Sequence, residues 1–437
     1  NIFSVRILHD FLQDLTLEVF MVAHHVLKSA DMAHRDKDWS TMVNQEYSHR
    51  YDAPRLSVFI AIIPREDTDE GWSKIVILFC WMCTSPHPYV RGVVMRKLVE
   101  IFSNKPQMAL FALNEFFDCN DPYVVQVITC AIYGYLLRKR DATEAAKIAD
   151  MILRFFYQDH KAPEDILVRQ WTMQTLALAD ELNGTNAYWG AIQPPFASEN
   201  PYDLVVDKAE SITKKYFGKS EGSWKMYETL YEFSDFRRYI IGTNSRSESD
   251  VFLKRENDSI QGVFLSDIQL MVANIAKHDF HWNDDLGKLD DNVYSEGRYN
   301  NLTERFGKKY LWLALYKADA LLSDHFKVAD GCNYLYSPTE NDIERLNLAS
   351  AYEKYKLPEE AKVSDIRVFK AKDGDWKVSV KPGDGARLTS KAISNNDRYS
   401  FFQTKTVTRE QLAAKYLSSD IDKAMGQKQE VKKGLKV

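Results

Sequence analysis

Apolar residues recur through the first third of the chain with the period of an α-helix. In residues 1–30, Ile7, Leu8, Phe11, Leu12, Leu15, Val19, Val22 and Val26 follow one another at three- and four-residue steps, which predicts an amphipathic helix with one buried stripe. The polar run Asp31 to Asp52 is expected to close it.

An internal likeness follows. HPYVRGVVMRKLVEIF (87–102) and DPYVVQVITCAIYGYL (121–136) share a Pro-Tyr-Val entry and one apolar rhythm, and EDILVRQWTMQTLALA (164–179) places Val168 where Val90 and Val124 stand. The steps are 34 and 44 residues, room for two helices each. Between the second and third segments, Ala145, Ile148, Ala149, Ile152, Phe155 and Phe156 line one face of a further helix. Pro88 and Pro122 suit the first helical turn, where a missing N–H removes no hydrogen bond. Two-helix units of about 40 residues resemble HEAT or armadillo repeats, in which each unit buries its apolar face against its neighbours; the alternative is an irregular helical bundle.

After Leu182 the periodicity stops in a Pro- and Gly-bearing connection. Helical patterning is expected again over 202–217, 224–241, 266–278 and from about Leu302. Beyond Pro358 the period changes to two: Ile366 and Val368, a turn at Asp373-Gly374-Asp375, then Trp376, Val378 and Val380, the signature of a β-hairpin. Tyr399 to Val407 is a candidate third strand. The expected fold is mainly α, HEAT/armadillo-like stacked helix pairs with a small C-terminal β-hairpin element. Its divisions are 1–85 (N-terminal helical region), 86–182 (repeats), 183–201 (connection), 202–358 (second helical region), 359–408 (β element) and 409–437 (C-terminal helix and basic tail).

Composition narrows the function without naming it. Hydrophobic residues make up 45% and charged residues 27% of 437, with a net charge of −5, so the chain carries no global field for nucleic acid. Five cysteines and no signal peptide argue for a reducing, cytoplasmic setting. The longest apolar run, Ile75 to Cys83, is about half of the roughly 20 residues a membrane span needs, so no membrane is expected. The chain opens at Asn1 inside a periodic stretch, as expected of a processed product or of the later part of a longer polypeptide.

Candidate chemistry is sparse. Cys80-x-x-Cys83 has the spacing of a metal or redox pair, but it sits inside an apolar run without a second pair, which predicts buried structural thiols. His278 and His281, with Asp284 and Asp285, are candidate ligands of a metal-dependent hydrolase; the plainer expectation is a helix end capped near Asn283 with Trp282 in the core. Arg305, Lys308 and Lys309 are expected to project from the start of a helix whose apolar face carries Phe306, Tyr310 and Leu313. Such a basic patch is suited to phosphate or to an acidic partner, because cations there run against the helix dipole; the plainer expectation is a solvated charged face partly compensated by Glu304. With Arg298, Arg237 and Arg238, and with Tyr239 and Tyr310 interleaved, it also makes nucleic acid a candidate partner. No phosphate loop, G-x-S-x-G or H-E-x-x-H motif occurs, and no cofactor is expected.

Over GRYNNLTERFGKKYLWLALYKADALLSDHF (297–326) the chain resembles the helical region that follows the nucleotide-binding module of large bacterial STAND or AAA-type NTPases, several of which act in antiphage defence. The likeness rests on Glu304 to Trp312 (Glu-Arg-x-Gly-Lys-Lys-Tyr-x-Trp). It is close over about 30 residues and loose over about half of the chain. It implies a non-catalytic recognition or scaffold part of a larger NTPase assembly, oligomeric and bound to a protein partner or trigger, with the motor elsewhere, since neither Walker element is present here.

Overall fold

The structure, a computed structural model, describes residues 15–47, 61–192, 196–199, 212–232, 234, 236–241, 253–255, 258–263, 265–291, 305–325, 327–328, 363–370, 376–382 and 391–393. The described chain is mainly α-helical. It divides into two units, 1–346 and 347–437.

The first unit opens with α1 (Leu17–Ser29), started by the Thr16 hydroxyl, which accepts from the Val19 N–H. The expected buried stripe is corrected here. Val19, Val22 and Val26 are 51, 64 and 63% exposed, and His24 is the buried residue of the helix. The inward stripe is the neighbouring one: Phe20, Met21 and Leu27 pack, partly buried, against the core around His24, whose Nδ1 accepts from Trp81 Nε1, while Lys28 reaches Asp118 and the Glu115 carbonyl. The polar run that follows is also helical, as α2 (Met32–Arg35), a π turn (Asp36–Ser40) and α3 (Thr41–Tyr47).

Then come α4 (Asp69–Met82), α5 (Pro88–Asn104), α6 (Gln107–Phe116), α7 (Pro122–Lys139), α8 (Ala142–Phe156) and α9 (Ile166–Asn183). Helices α5, α7 and α9 begin alike. His87, Asp121 and Asp165 each accept the backbone N–H two residues on, satisfying donors that a helix start leaves without partners. Pro88 and Pro122 fill the first turn. Val90, Val124 and Val168, three residues after each cap, are all buried. Helix α5 packs on α7 and α7 on α9, while α8 lies against α9 with Ala145, Ile148, Ala149 and Ile152 buried. Gly184 ends α9 in the left-handed conformation (φ 64°), which costs glycine little. These helices share a core with Phe79, Trp81, Phe102, Phe116 and Trp171.

A second core follows the short α10 (Ala187–Ala191), which Asp180 holds through the N–H groups of Tyr188 and Trp189. It contains α11 (Glu221–Tyr231), a π turn (Phe236–Ile241), α12 (Leu265–Asn274) continued by a π turn (Ile275–Asp279), α13 (Asp284–Asp291) and α14 (Phe306–His325). Before α12 come β1 (Leu253–Arg255) and β2 (Asp258–Val263), and after α14 comes β3 (Lys327–Val328); they pair antiparallel in the order β2-β1-β3, a sheet the periodicity does not predict. Tyr123 and Leu167, from the starts of α7 and α9, belong to this second core and join it to the first.

In the second unit β4 (Val363–Lys370), β5 (Trp376–Pro382) and β6 (Lys391–Ile393) pair antiparallel in the order β4-β5-β6, Val368 opposite Val378. The expected turn at 373–375, the strand at 399–407, the C-terminal helix, Cys332 and Arg298 lie outside the described residues.

Candidate functional site

Helix α14 carries the segment that attracts attention in the sequence, and its first turn is held by a carboxylate. Asp290 Oδ1 accepts from the Phe306 N–H (2.7 Å) and Oδ2 from the Gly307 N–H (2.6 Å). Burial pushes this carboxyl up to about 6, against the pull of those two N–H groups. The positive end of the helix is thus answered from within the chain, and an incoming phosphate would have to displace Asp290.

Lys309 departs from expectation. It does not project from the surface: its side chain is 0% exposed. Nζ donates to Asp36 Oδ1 (2.8 Å), Asp121 Oδ2 (2.7 Å) and the Thr84 carbonyl (3.0 Å), which occupies all three ammonium donors. Lys309 lies three residues after Phe306 and four before Leu313, on the buried stripe itself, and that spacing was the signal available in sequence. Arg35 joins the cluster. It donates to the Leu27 and Ala30 carbonyls and to Asn120, sits 3.8 Å from Asp121 Oδ2, and lies 5.1 Å from the Trp81 ring centroid. Ser40 donates to Asp36. Two cations and two carboxylates with no exposed surface compensate one another here; burial raises the Asp36 carboxyl and the Lys309 charge opposes that rise. The ammonium is saturated, and the cluster tethers α2, the start of α7 and α14 at one point.

The far end of α14 is tethered too. Arg169 of α9 grips Asp324 with two nitrogens (2.8 and 3.1 Å) and donates to the Ala320 carbonyl and Ser323. Asp324 also accepts from the Phe196 N–H and the Ser198 hydroxyl. His325 Nε2 stands 3.2 Å from Ser198 Oγ, which has the look of a nucleophile and its base. The arrangement is the reverse. Nε2 is 3.0 Å from the Ser198 carbonyl, an acceptor only, so it carries the proton and takes none from Oγ. These contacts fasten residues 196–198 to the helix end.

The other basic candidates lie nearer solvent. Arg305 and Lys308 are half-buried, and Arg305 Nη2 donates to Thr229 Oγ1 of α11 (3.1 Å). Arg237 is half-buried in the π turn Phe236–Ile241, which also contains Arg238. Tyr310 is buried against Trp282, so it offers no face to a base. Trp312 packs on Phe236 and Tyr316.

The histidine candidates do not converge on a metal geometry. His278 is exposed with Nε2 3.3 Å from the Tyr216 hydroxyl, and His281 is exposed at φ 57°. Asp284 accepts from the Lys219 and Ser220 N–H groups and from Ser223, and these contacts hold its carboxyl below the usual range. Asn283 caps α13 and Trp282 is buried. Among the described residues no group of three His, Cys, Asp or Glu is placed to hold a metal ion. Cys80, Cys83, Cys119 and Cys130 are free and buried, and burial pushes the Cys119 thiol up to about 11, where a thiolate nucleophile does not form at neutral pH. No described helix is long and apolar enough to cross a membrane. The chain matches no protein-family model, no curated protein and no solved structure.

Proposed function

We propose that this chain is a non-catalytic helical recognition or scaffold part of a larger defence or signalling NTPase assembly, holding a protein partner or trigger in the cytoplasm. The observation that carries the reading is the side-by-side row of α5, α7 and α9, begun by equivalent caps and by equivalent buried valines. In this reading the row belongs to a HEAT-like stack, an architecture that presents extended surfaces to protein partners. The Glu304–Trp312 likeness supplies the NTPase context. In this reading 363–393 forms a β-hairpin element that engages a second partner. The test is to tag the chain in its native host and purify it under mild conditions. It is expected to co-migrate, or to be continuous, with a polypeptide bearing a Walker A peptide, read by mass spectrometry together with ATP hydrolysis. A chain that migrates alone and without such a peptide overturns the proposal.

A second reading, a nucleic-acid-binding module, is favoured by the partly exposed Arg305, Lys308 and Arg237. It excludes Lys309. Under it, Arg305→Glu with Lys308→Glu weakens binding about equally across sequences and lowers the salt dependence by about one counterion for each phosphate that is no longer neutralised. Binding with no salt dependence rules it out.

A further inference from the structure

Between its two tethered ends, α14 brings an acid against the start of α9. Asp319 is 2% exposed, and among the described residues its Oδ1 meets no hydrogen-bond donor. The start of α9 reaches this turn of α14, since Glu164 pairs with Lys317 (3.0 Å) and Arg169 donates to the Ala320 carbonyl (3.1 Å), and from there the buried Asp165 carboxylate opposes a second negative charge on Asp319. Asp165 is itself buried and occupied: Oδ1 accepts the Leu167 and Val168 N–H groups, and Oδ2 accepts from Gln126 (2.7 Å).

Among the described residues, relief from a cation is not at hand. Helix α14 packs against α9, α11, α12, α13 and the π turn Ile275–Asp279. Arg169 of α9 pairs with Asp324 and favours the ionised form of Asp165. On α14 itself Lys317 pairs with Glu164 and Asp279, Lys309 is taken by Asp36 and Asp121, Lys308 stands at the start of the helix and His325 faces Ser198. Lys277 of the π turn donates to the Tyr216 carbonyl, Lys225 of α11 pairs with Glu221, and Lys288 of α13 with Asp285. The remaining acids of these elements, Asp180 and Glu181 of α9, Glu228 of α11, Asp267 of α12 and Asp284, Asp290 and Asp291 of α13, supply no positive charge. A buried carboxylate with no partner and a like charge for a neighbour is costly, and such a group takes up a proton instead.

We propose that the junction of α9 and α14 is a proton-dependent latch, in which the two helical cores stay docked while the buried Asp165–Asp319 pair holds one proton. Asp165, bound by three donors, is the member that ionises; Asp319 keeps the proton. Burial raises both carboxyls, Asp165 to about 6 and Asp319 well beyond the carboxylate range, in the order the hydrogen bonds require. The folded state binds more protons than the unfolded one above the ordinary carboxylate range, so raising the pH through neutrality and beyond loosens the latch.

The test uses the full chain and two variants. At neutral pH, infrared difference spectra of the parent should contain a protonated-carboxyl C=O band that Asp319→Asn lacks. The thermal midpoint of the parent, and the hydrogen-exchange protection of 306–325, should fall as the pH rises above neutral, whereas Asp319→Asn should hold both nearly constant. Asp165→Asn keeps the helix cap but removes the like charge, so Asp319 should ionise at lower pH, and the loss of stability with rising pH should level off earlier and be smaller in total. This second variant decides the matter if Asp319→Asn fails to fold. Absence of the protonated band from the parent, or an alkaline profile unchanged in Asp165→Asn, overturns the latch.

Discussion

Lys309 holds its charge between two buried carboxylates, and the cost of removing it is set by what remains. Lys309→Ala strands Asp36 and leaves Asp121 only its longer contact with Arg35, so it should destabilise the chain by about 3–5 kcal/mol in denaturant unfolding, as breaking a buried pair does. Lys309→Met combined with Asp36→Asn removes one cation and one carboxylate, leaves Arg35 with Asp121, and should recover most of that loss. A double variant no more stable than Lys309→Ala would mean that the charges are not what holds the cluster. Lys308, one residue earlier, is half-buried, and its replacement should change stability by about 0.5 kcal/mol. His24 offers a pH counterpart. Its Nδ1 accepts from the Trp81 indole, and burial lowers its pKa from 6.5 to about 4. The unfolded chain then binds the proton first, so the contribution of His24 to stability is complete above about 6.5 and is lost as the pH falls toward 4. His24→Gln keeps an acceptor for Trp81 and should flatten that part of the acid profile; an unchanged profile would assign the acid loss to other groups.

At the scale of elements, the crossing of α11 and α13 is set by two glycines. A Cβ at Gly222 would fall well inside van der Waals distance of the Gly287 carbonyl oxygen, and one at Gly287 would do the same with Ser223 Oγ. The first collision is with backbone, which a rotamer change does not relieve. Gly222→Ala should therefore cost about 1–3 kcal/mol or more by overpacking, measured by its denaturant midpoint, and a midpoint equal to the parent's would show that the crossing yields. Helix α1 lies at the opposite extreme. Its valine face is exposed and His24 is its buried residue, so its amides should exchange with solvent well before those of α7, whose residues from Tyr123 to Leu137 are buried throughout. Equal protection of the two helices would contradict that ordering. Both features bear on what the chain's pattern discloses. The α1 periodicity is plain in sequence, yet the helix turns the stripe beside its valines inward, with Phe20, Met21 and Leu27 on the core around a hydrogen-bonded His24–Trp81 pair and the Lys28 contacts alongside.

Across the whole molecule, α14 joins the two cores through charge at both ends. Lys309 meets Asp121 and Asp36 across 188 and 273 residues of chain, and Arg169 meets Asp324 across 155. The mainly α-helical character, the three related helices and their first turns were legible beforehand, because periodicity, caps and proline placement act within a few residues. Asp121-Pro122 announces a helix start, and the rhythm of Val90, Val124 and Val168 announces a buried face. The pairing of β1 with β3 was not legible, since it joins residues 253–254 to 327–328 and short strands carry little pattern of their own. The same holds for the candidate site. Sequence placed Arg305, Lys308 and Lys309 together as a basic run, but a residue's charge does not say whether a carboxylate waits for it in a distant element. Composition and local spacing determined which segments became helices and which faces were apolar. Tertiary structure alone decided which charges were buried, which acid went without a partner and which apolar face remained open to solvent, because each of those outcomes depends on groups brought together only when distant segments pack.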